Sequence, residues 1–460
     1  MIKKPNIVFI LIDDMGYKDL GCYGSSFYET PNIDFLAQEG MRFTDAYASC
    51  PVCSPSRASF LSGKYPARVG VTDWIGAHLK GKLEDAPYID HLPLCEKSLA
   101  KTLKENGYST WHVGKWHLGN EEYYPEKHGF DINIGGSHYG LPYNGYFSPY
   151  NLPNLPNGEE GEYLTDRITD EAINLLKNKD EKPFFLFLSH YACHTPIQAP
   201  EHLVEKYRKK RIALGLDKTE EIIQGEPFPT CYTKDSFIQR RVVQSSPEYA
   251  AMIENLDCNI GRFLKALKEC GQEDNTIVVF TSDNGGLATS ESSPTCNLPL
   301  CEGKGWMYEG GVREPLIIKW PGKIKAGSVS SEPVITTDFY PTFLEAAELE
   351  LMPEQHCDGV SLMPLFCGKS LDRKALFWHY PHYGNQGGTP GSSVRMGDYK
   401  LIEFFEDGRL ELYNLKEDIE ENKNIASLNP DIVKAMHNML IEWRNEVGAL
   451  YPTVNKEWDI

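Results

Sequence analysis

Short apolar segments that run directly into ionisable residues constrain the fold of this chain more than any other feature. The segment at 7–12 is uniformly apolar and is followed at once by Asp13 and Asp14. Three more segments, 109–113, 184–188 and 276–281, end in the same way, in polar or ionisable residues. A strand without polar positions is typical of a parallel sheet that is covered on both faces.

The four segment ends predict one common site. In open α/β sheets the ligand site lies beyond the carboxyl ends of the strands. The residues that follow the four segments include Asp13, Asp14, Lys115, His117, His190, His194, Asp283 and Asn284. We therefore expect these side chains to converge at one edge of the sheet.

Helical patterns alternate with the strands and change character towards the C-terminus. Apolar residues at helical spacing predict helices at 32–38, 166–177 and 247–270, which gives an α/β fold. Past about residue 371 the pattern becomes short strands separated by turns, followed by a helix at 430–447. We expect a catalytic domain at 1–370, with a large mostly parallel sheet between helices. A subdomain at 371–460 should add a small antiparallel sheet and the closing helix.

Composition excludes some partners. The chain has 460 residues, of which 41% are hydrophobic, and its 46 basic and 65 acidic residues give a net charge of −19. Nucleic acid and anionic membranes both require a basic face, so we expect neither as a partner. A few local cations can still attract an anionic substrate into a cleft.

The N-terminal sequence and the cysteine spacing indicate the cellular compartment of the protein. The apolar run at 7–12 is too short for the core of a signal peptide, and no stretch is long enough to span a bilayer. This predicts a cytoplasmic protein as the sequence stands, or a periplasmic or secreted one if a leader has been removed. The 12 cysteines show no framework spacing, which favours free thiols in a reducing compartment.

Two acidic strand ends indicate a metal site. Asp13 and Asp14 after one strand, with Asp283 and Asn284 after another, supply oxygen donors and no soft ligand. Carboxylates this close repel each other unless a cation neutralises them, and a hard divalent ion such as Ca²⁺ or Mg²⁺ suits them. Turn formation at strand ends also explains such residues. The repetition at two strand ends favours the metal.

A cysteine at a predicted helix start is the candidate nucleophile. Cys53 precedes Ser-Pro-Ser and Arg57, and an apolar helical turn follows. A thiol at a helix N-terminus beside a fixed cation lies where negative charge is stabilised. The pair Cys50 and Cys53 also allows a redox disulfide, or a zinc site with the cysteines at 296 and 301. The surrounding sequence resembles neither.

Basic residues on other loops complete a candidate anion site. Lys115 and His117 are two positions apart, so both point the same way if the segment is extended. His194 and Lys304 lie on separate loops. A tetrahedral oxyanion ester requires positive and proton-transferring groups around one nucleophile. Lysine, histidine and arginine side chains with a metal ion form such an arrangement.

Several blocks of sequence together resemble one family. These are CSPSR at 53–57, LSGKYP at 61–66, PNI at 5–7 running on to Asp13 and Asp14, GKWHLG at 114–119, HTP at 194–196, TSDNG at 281–285, GKG at 303–305 and EGGVREP at 309–315. In this order they resemble the type I sulfatases of the alkaline phosphatase superfamily. One departure is Cys193, because relatives often carry proline before the His-Thr-Pro.

The resemblance implies a specific chemistry. The signature cysteine, here Cys53, would be oxidised by a formylglycine-generating maturation enzyme to Cα-formylglycine, whose hydrated aldehyde attacks sulfur. A hemiacetal sulfate can then collapse and expel sulfate, whereas a plain alcohol would remain as a stable ester. One Ca²⁺, with Mg²⁺ as the alternative, would be held by Asp13, Asp14, Asp283, Asn284 and residue 53.

The resemblance also implies roles for the basic residues. Arg57 and Lys115 would stabilise the diol, and His117 would take the proton in the elimination step. His194 and Lys304 would hold the sulfate and assist the departing oxygen.

The substrate is less constrained. The C-terminal region resembles that of bacterial carbohydrate sulfatases, which implies exo-acting removal of sulfate from a sugar, with a galactose-type residue as the candidate. His379, His382 and Arg395 are the candidate residues that close the pocket. Two alternatives stay open. One is a phosphonate or phosphate monoester hydrolase of the same superfamily, and the other is a sulfated-glycan binder in which Cys53 is unmodified.

Overall fold

One large mixed sheet organises the computed structural model, which describes residues 4–231 and 235–458. The strands are β1 Asn6–Ile12, β2 Met41–Tyr47, β3 Leu83–Glu84, β4 Ser109–Gly114, β5 Ile132–Ile134, β6 Phe184–Ser189, β7 Ile222–Pro227, β8 Phe237–Arg241, β9 Thr276–Ser282, β10 Arg313–Lys319, β11 Ser328–Ser330, β12 Val334–Ile335, β13 Leu376–Tyr380, β14 Gly391–Met396, β15 Tyr399–Phe404, β16 Leu410–Asn414 and β17 Thr453–Val454.

Helices of very different length connect the strands. They are α1 Pro31–Glu39, α2 Cys53–Ser62, α3 Pro66–Val69, α4 Leu99–Glu105, α5 Leu164–Lys177, α6 Glu201–Ala213, α7 Pro247–Glu269, α8 Glu309–Val312, α9 Phe339–Ala346, α10 Met363–Phe366 and α11 Pro430–Val447. Short 3-10 turns lie at Gly21–Tyr23, Glu121–Tyr123, Pro125–His128, Leu216–Lys218, Glu273–Asn275, Thr336–Asp338 and Ala426–Leu428. Among the described residues, no helix is long and apolar enough to cross a bilayer.

The large sheet has the order β11-β2-β10-β9-β1-β6-β4-β5, with β12 also paired to β2. The five strands from β9 to β5 are mutually parallel, and β10 is antiparallel to both of its neighbours. The carboxyl ends of β1, β4, β6 and β9 therefore meet at one edge. This confirms the mostly parallel sheet that the four apolar segments predicted.

The sheet is covered on both faces, which explains its unbroken apolar strands. Alternate side chains of β1 enter two different cores, with Val8 and Ile10 in one and Ile7 and Phe9 in the other. Helices α1, α5, α6 and α7 cover the first face, and α2, α4 and α9 cover the second. The observed layers are those of an alkaline-phosphatase-like α/β fold.

A four-stranded antiparallel sheet, β13-β14-β15-β16, lies in the C-terminal region with α11 against it. Its apolar face shares a core with Tyr47, Cys50, Val52 and Tyr65, which come before and after α2 in the sequence. The small sheet and the closing helix are thus as the sequence predicted. The domain boundary after residue 370 stays a prediction.

Candidate active site

Helix α2 positions the candidate nucleophile. Cys53 is its first residue, and Arg57 follows four positions later on the same face. Every residue of the helix is buried. Phe60 stacks on Phe9 of β1 with ring centroids 4.0 Å apart, so α2 is fixed against the central strand. The helix ends at Gly63, whose φ of 69° lies in the left-handed region that glycine favours.

Four strand ends surround this helix start. Asp13 and Asp14 follow β1, Lys115 and His117 follow β4, His194 lies beyond β6, and Asp283 and Asn284 follow β9. Lys304 comes from the loop before α8. The structure thus brings together all ten residues that the sequence proposed for the metal site and the reaction.

Carboxylates and cations alternate at this site. Lys115 Nζ donates to Asp13 Oδ2 at 2.6 Å, and Lys304 Nζ donates to Asp14 Oδ2 at 2.8 Å. Arg57 Nε donates to Asp283 Oδ2 at 2.9 Å. All six side chains are almost fully buried. Because each carboxylate has a cationic partner, the six groups carry no net charge when all of them are ionised.

Two buried oxygen atoms at the site lack a hydrogen-bond partner. They are Asp13 Oδ1 and Asn284 Oδ1, and unpaired buried acceptors are costly. Possible ligand atoms of Asp13, Cys53 and Asp283 all lie within 4.8 Å of one another. Burial holds the pKa of Asp13 well above its usual value, although Lys115 opposes this shift. Oxygen donors of this kind suit a hard divalent cation, so the residues present fit the predicted metal.

The thiol of Cys53 does not behave as its local sequence suggested. Burial raises the pKa of Cys53, and the nearby Lys115 and Lys304 only partly oppose this effect. An unmodified Cys53 is therefore a thiol near neutral pH, not a stabilised thiolate. All 12 cysteines, which are all among the described residues, are unpaired, so Cys50 and Cys53 form no disulfide.

Two neutral histidines face the nucleophile position. His117 Nδ1 lies 3.4 Å from Cys53 Sγ, and His194 Nε2 lies 3.1 Å from Lys304 Nζ. Burial, and then the charge of Lys115, lowers the pKa of His117 well below its ordinary value. Burial and Lys304 lower the pKa of His194 to about 3. Both rings are therefore neutral near pH 7 and can accept a proton.

A cavity of about 160 Å³ opens onto these groups. Its lining includes Cys53, His117, His194 and Lys304. The rest of the lining lies outside the candidate site residues of the sequence, and it consists of Trp74, Ile75, His138, Gly140, Leu141, Tyr143, Thr195, Glu291, Asn385 and Gln386. A wall of aromatic, amide and carboxylate side chains above a cationic floor can hold a polar organic group attached to an anion.

His379, His382 and Arg395 do not line this cavity. His379 Nε2 donates to the Leu450 carbonyl, and its Nδ1 bonds to Ser392 Oγ. His382 bonds to Thr72 and Asp85, and Arg395 pairs with Asp45. Their contact with substrate stays a prediction.

Two residues that shortly follow His382 in the sequence do line the cavity. Asn385 and Gln386 lie in the loop 384–388, which is rich in glycine. A Cβ at Gly388 would lie 1.8 Å from the carbonyl oxygen of Gly305, next to Lys304. The glycines thus allow this loop to approach the backbone beside Lys304, and they are the sequence signal for this approach.

Comparisons with known proteins agree with this geometry. The family model described as Sulfatase matches residues 5–349, and the model N-sulphoglucosamine sulphohydrolase, C-terminal, matches residues 302–446. A protein named Sulfatase from Formosa agariphila is 33% identical over 96% of this chain and 89% of its own length. The N-acetylgalactosamine-6-sulfatase of Canis lupus familiaris is 32% identical over 86% of this chain and 71% of its own length.

A solved structure extends the similarity to three dimensions. The structure of Ps i-CgsB in complex with k-i-k-neocarrahexaose aligns with a TM-score of 0.74 and 31% sequence identity. The alignment covers 96% of this chain and 93% of that chain.

Proposed function

The chain belongs to the sulfatase family and is a sulfuric ester hydrolase, and we propose that it desulfates a carbohydrate by means of a formylglycine at position 53. A bound Ca²⁺ is part of the proposal. The observation that carries it is the arrangement around Cys53, where three paired carboxylates and two unpaired buried oxygens surround one side chain. The raised pKa of the Cys53 thiol supports the role of Cys53 as the precursor of an oxygen nucleophile.

The Ca²⁺ would be held by residue 53 together with Asp13, Asp14, Asp283 and Asn284. The ion would supply positive charge for the sulfate oxygens and the nucleophile. Mg²⁺ is the alternative occupant, since it takes the same oxygen ligands.

The remaining roles follow from atoms already close to residue 53. His117 Nδ1, 3.4 Å from Cys53 Sγ, is the base that removes the proton when sulfate is expelled. Lys304 Nζ and His194 Nε2 lie beside each other and would bind the sulfate, with Lys304 as the proton donor to the leaving alcohol oxygen. Arg57 and Lys115 hold Asp283 and Asp13 in place and add positive charge beneath the nucleophile.

The residues of the cavity wall and the names of the relatives both support a sugar as the alcohol part of the substrate. Trp74 and Tyr143 offer apolar ring faces, and Asn385 and Gln386 offer amide groups that suit hydroxyls. One relative is named for N-acetylgalactosamine 6-sulfate, and one similar protein was solved with a neocarrahexaose. The proposal is an exo-acting enzyme for a galactose-type sulfate.

The first experiment tests the nucleophile by peptide mass spectrometry across Cys53 in protein from its natural host or from cells with a maturation enzyme. The expected mass is that of formylglycine. Cys53→Ala should abolish sulfate release with the fold intact, and Cys50→Ala, a buried cysteine outside the cavity lining, is the matched control. An intact thiol in fully active enzyme would refute the mechanism.

The second experiment separates the alternatives for the reaction. Matched aryl sulfate, phosphate and phosphonate esters should show the highest kcat/KM for the sulfate. Faster release of phosphate would favour the phosphoester hydrolase. Binding of a sulfated sugar without turnover, by protein whose Cys53 is unmodified, would favour the glycan binder.

The third experiment tests the metal. We expect Asp283→Ala to lose both bound Ca²⁺ and activity, as measured by elemental analysis and sulfate release. Asp257→Ala removes a buried carboxylate that bonds to the first residues of α1, and it should keep its metal. Full metal content in Asp283→Ala would refute Asp283 as a ligand.

A further inference from the structure

The cavity carries an acidic group in its wall above a cationic floor. Glu291 lines the same cavity as Lys304 and His194, and its charge is one of those that raise the pKa of Lys304 against the effect of burial. Among the described residues the Glu291 carboxylate makes no hydrogen bond or ion pair. Glu291 is exposed, so its carboxylate is solvated in the free protein and is accessible to a bound substrate. A carboxylate at this place weakens the attraction for sulfate.

The backbone at Glu291 is held in a rare conformation. Ser290, Glu291, Ser292 and Ser293 have φ values of 56°, 44°, 71° and 40°, so four successive residues with side chains adopt the left-handed region. This conformation costs free energy in every residue but glycine.

Hydrogen bonds fix this left-handed turn to the strand β8. Ser290 N donates to the Gln239 carbonyl at 2.9 Å, and Ser293 Oγ donates to the same oxygen at 3.1 Å. Ser293 N donates to the Ser290 carbonyl at 2.6 Å, and Arg241 Nε donates to the Ser293 carbonyl. The surrounding structure therefore imposes the turn and sets the position from which the Glu291 carboxylate lines the cavity.

The groove next to the cavity is also acidic. This groove, of about 630 Å³, shares Ile75, His138 and Tyr143 with the cavity. Its lining further includes Asp90, His91, Gly119, Asn120, Glu121, Glu122 and Tyr123, and no lysine or arginine among the described residues. The part of a substrate that extends from the cavity into this groove thus meets negative charge.

We propose that Glu291 selects the sugar, by accepting hydrogen bonds from its free hydroxyl groups and by repelling any second anionic substituent. This inference rests on the proposed function and names its substrate class, which is a singly sulfated saccharide whose remaining groups are neutral or cationic. A carboxylate accepts hydrogen bonds from two neighbouring hydroxyls, and such charge-assisted bonds are stronger than neutral ones. A second sulfate or a uronate at the same place would face the carboxylate and the acidic groove.

Glu291→Gln tests the inference because the amide keeps the shape and removes the charge. The probes are the best singly sulfated sugar from a defined panel, its disulfated counterpart, and 4-nitrophenyl sulfate, which has no hydroxyl groups. We expect the ratio of kcat/KM for the sugar to that for the aryl sulfate to fall about tenfold, the size of one charge-assisted hydrogen bond. In Glu291→Gln the ratio of kcat/KM for the singly sulfated sugar to that for the disulfated sugar should fall by a similar factor. In Glu291→Lys this ratio should fall further.

Glu417→Gln is the matched control, since Glu417 is an exposed acid outside the cavity lining, and it should change neither ratio. Unchanged ratios in Glu291→Gln would overturn the inference. An equal fall on the sugar and the aryl sulfate would also overturn it, because Glu291 would then act through Lys304. Wild-type enzyme that releases sulfate from no sugar would overturn the proposed function, and this inference with it.

Discussion

Arg57 provides the sharpest test of how the charges of the site are balanced. Its guanidinium is 1% exposed and contacts Asp283 through both Nε and Nη2, at 2.9 and 2.8 Å. Arg57 Nη1 also donates to Ser189 Oγ at 2.6 Å. Arg57→Met keeps much of the length of the side chain and removes its charge and all of its donors.

The expected cost depends on the metal. Removing one partner of a buried ion pair costs about 3–5 kcal/mol, because the other charge stays buried without compensation. In the absence of metal, three carboxylates would face only the two cations Lys115 and Lys304. A divalent ion replaces the missing positive charge, and a ligand at 100 times its Kd stabilises the folded state by about 2.7 kcal/mol. Ca²⁺ should therefore restore a large part of the stability that Arg57→Met loses.

The assay is urea unfolding of wild type and variant in chelator and in saturating Ca²⁺. We expect Arg57→Met to be about 4 kcal/mol less stable in chelator, to bind Ca²⁺ at least as tightly as wild type, and to lose activity by about 10²-fold or more. Arg68→Met is the control, because its partly exposed ion pairs with Asp358 and Glu446 should contribute at most about 1 kcal/mol, independent of Ca²⁺. Equal stability of Arg57→Met and wild type in chelator would refute the reasoning, and so would weaker Ca²⁺ binding.

Three further changes test the fold around the site. Burial without any hydrogen-bond partner lowers the pKa of His190 to about 3, so its contribution to stability is present above pH 6.5 and is lost as the pH falls. Urea unfolding of the wild type should show a loss of about 3 kcal/mol from this group between pH 7 and pH 4.5, and His190→Phe should reduce that loss. Phe60→Ala should cost about 3–5 kcal/mol in thermal or urea unfolding, since the ring stacks in the core behind α2; a cost under 1 kcal/mol would contradict that packing. Lys400→Met should cost a similar amount because it leaves the buried Glu421 without a cationic partner and Glu309 with Arg313 alone, and a double variant with Glu421→Gln should recover part of it.

The sheet and its site were predictable because their signals are local. A buried parallel strand must be apolar on both faces, so the segment that became β1 is recognisable without its neighbours, and its end marks the site edge. The same holds for β6 and for the central residues of β9, whereas β4 also contains Ser109, Thr110 and His112. Once four strand ends are placed at one edge, the residues that follow them have to meet.

The substrate wall could not be predicted in the same way, because its residues meet only through the fold. Trp74, His138, Glu291 and Asn385 come from four loops that are far apart in sequence, and none follows an apolar strand. The resemblance of the C-terminal region to bacterial carbohydrate sulfatases indicates His379 and His382, but neighbouring side chains and a backbone carbonyl bind the nitrogens of both rings. The raised pKa of Cys53 was missed for a related reason, since burial on all sides is not visible in the residues next to it.

The balance of charge explains how an acidic protein can bind an anion. With net charge −19 the chain as a whole repels sulfate, and the three carboxylates and three cations of the site carry no net charge when all six are ionised. His117 and His194 add no charge, since burial keeps both rings neutral. The proposed divalent ion would add positive charge at the site, so we expect sulfate binding and metal binding to be two parts of one equilibrium. Loss of Ca²⁺ should therefore abolish sulfate affinity even where every protein side chain stays in place.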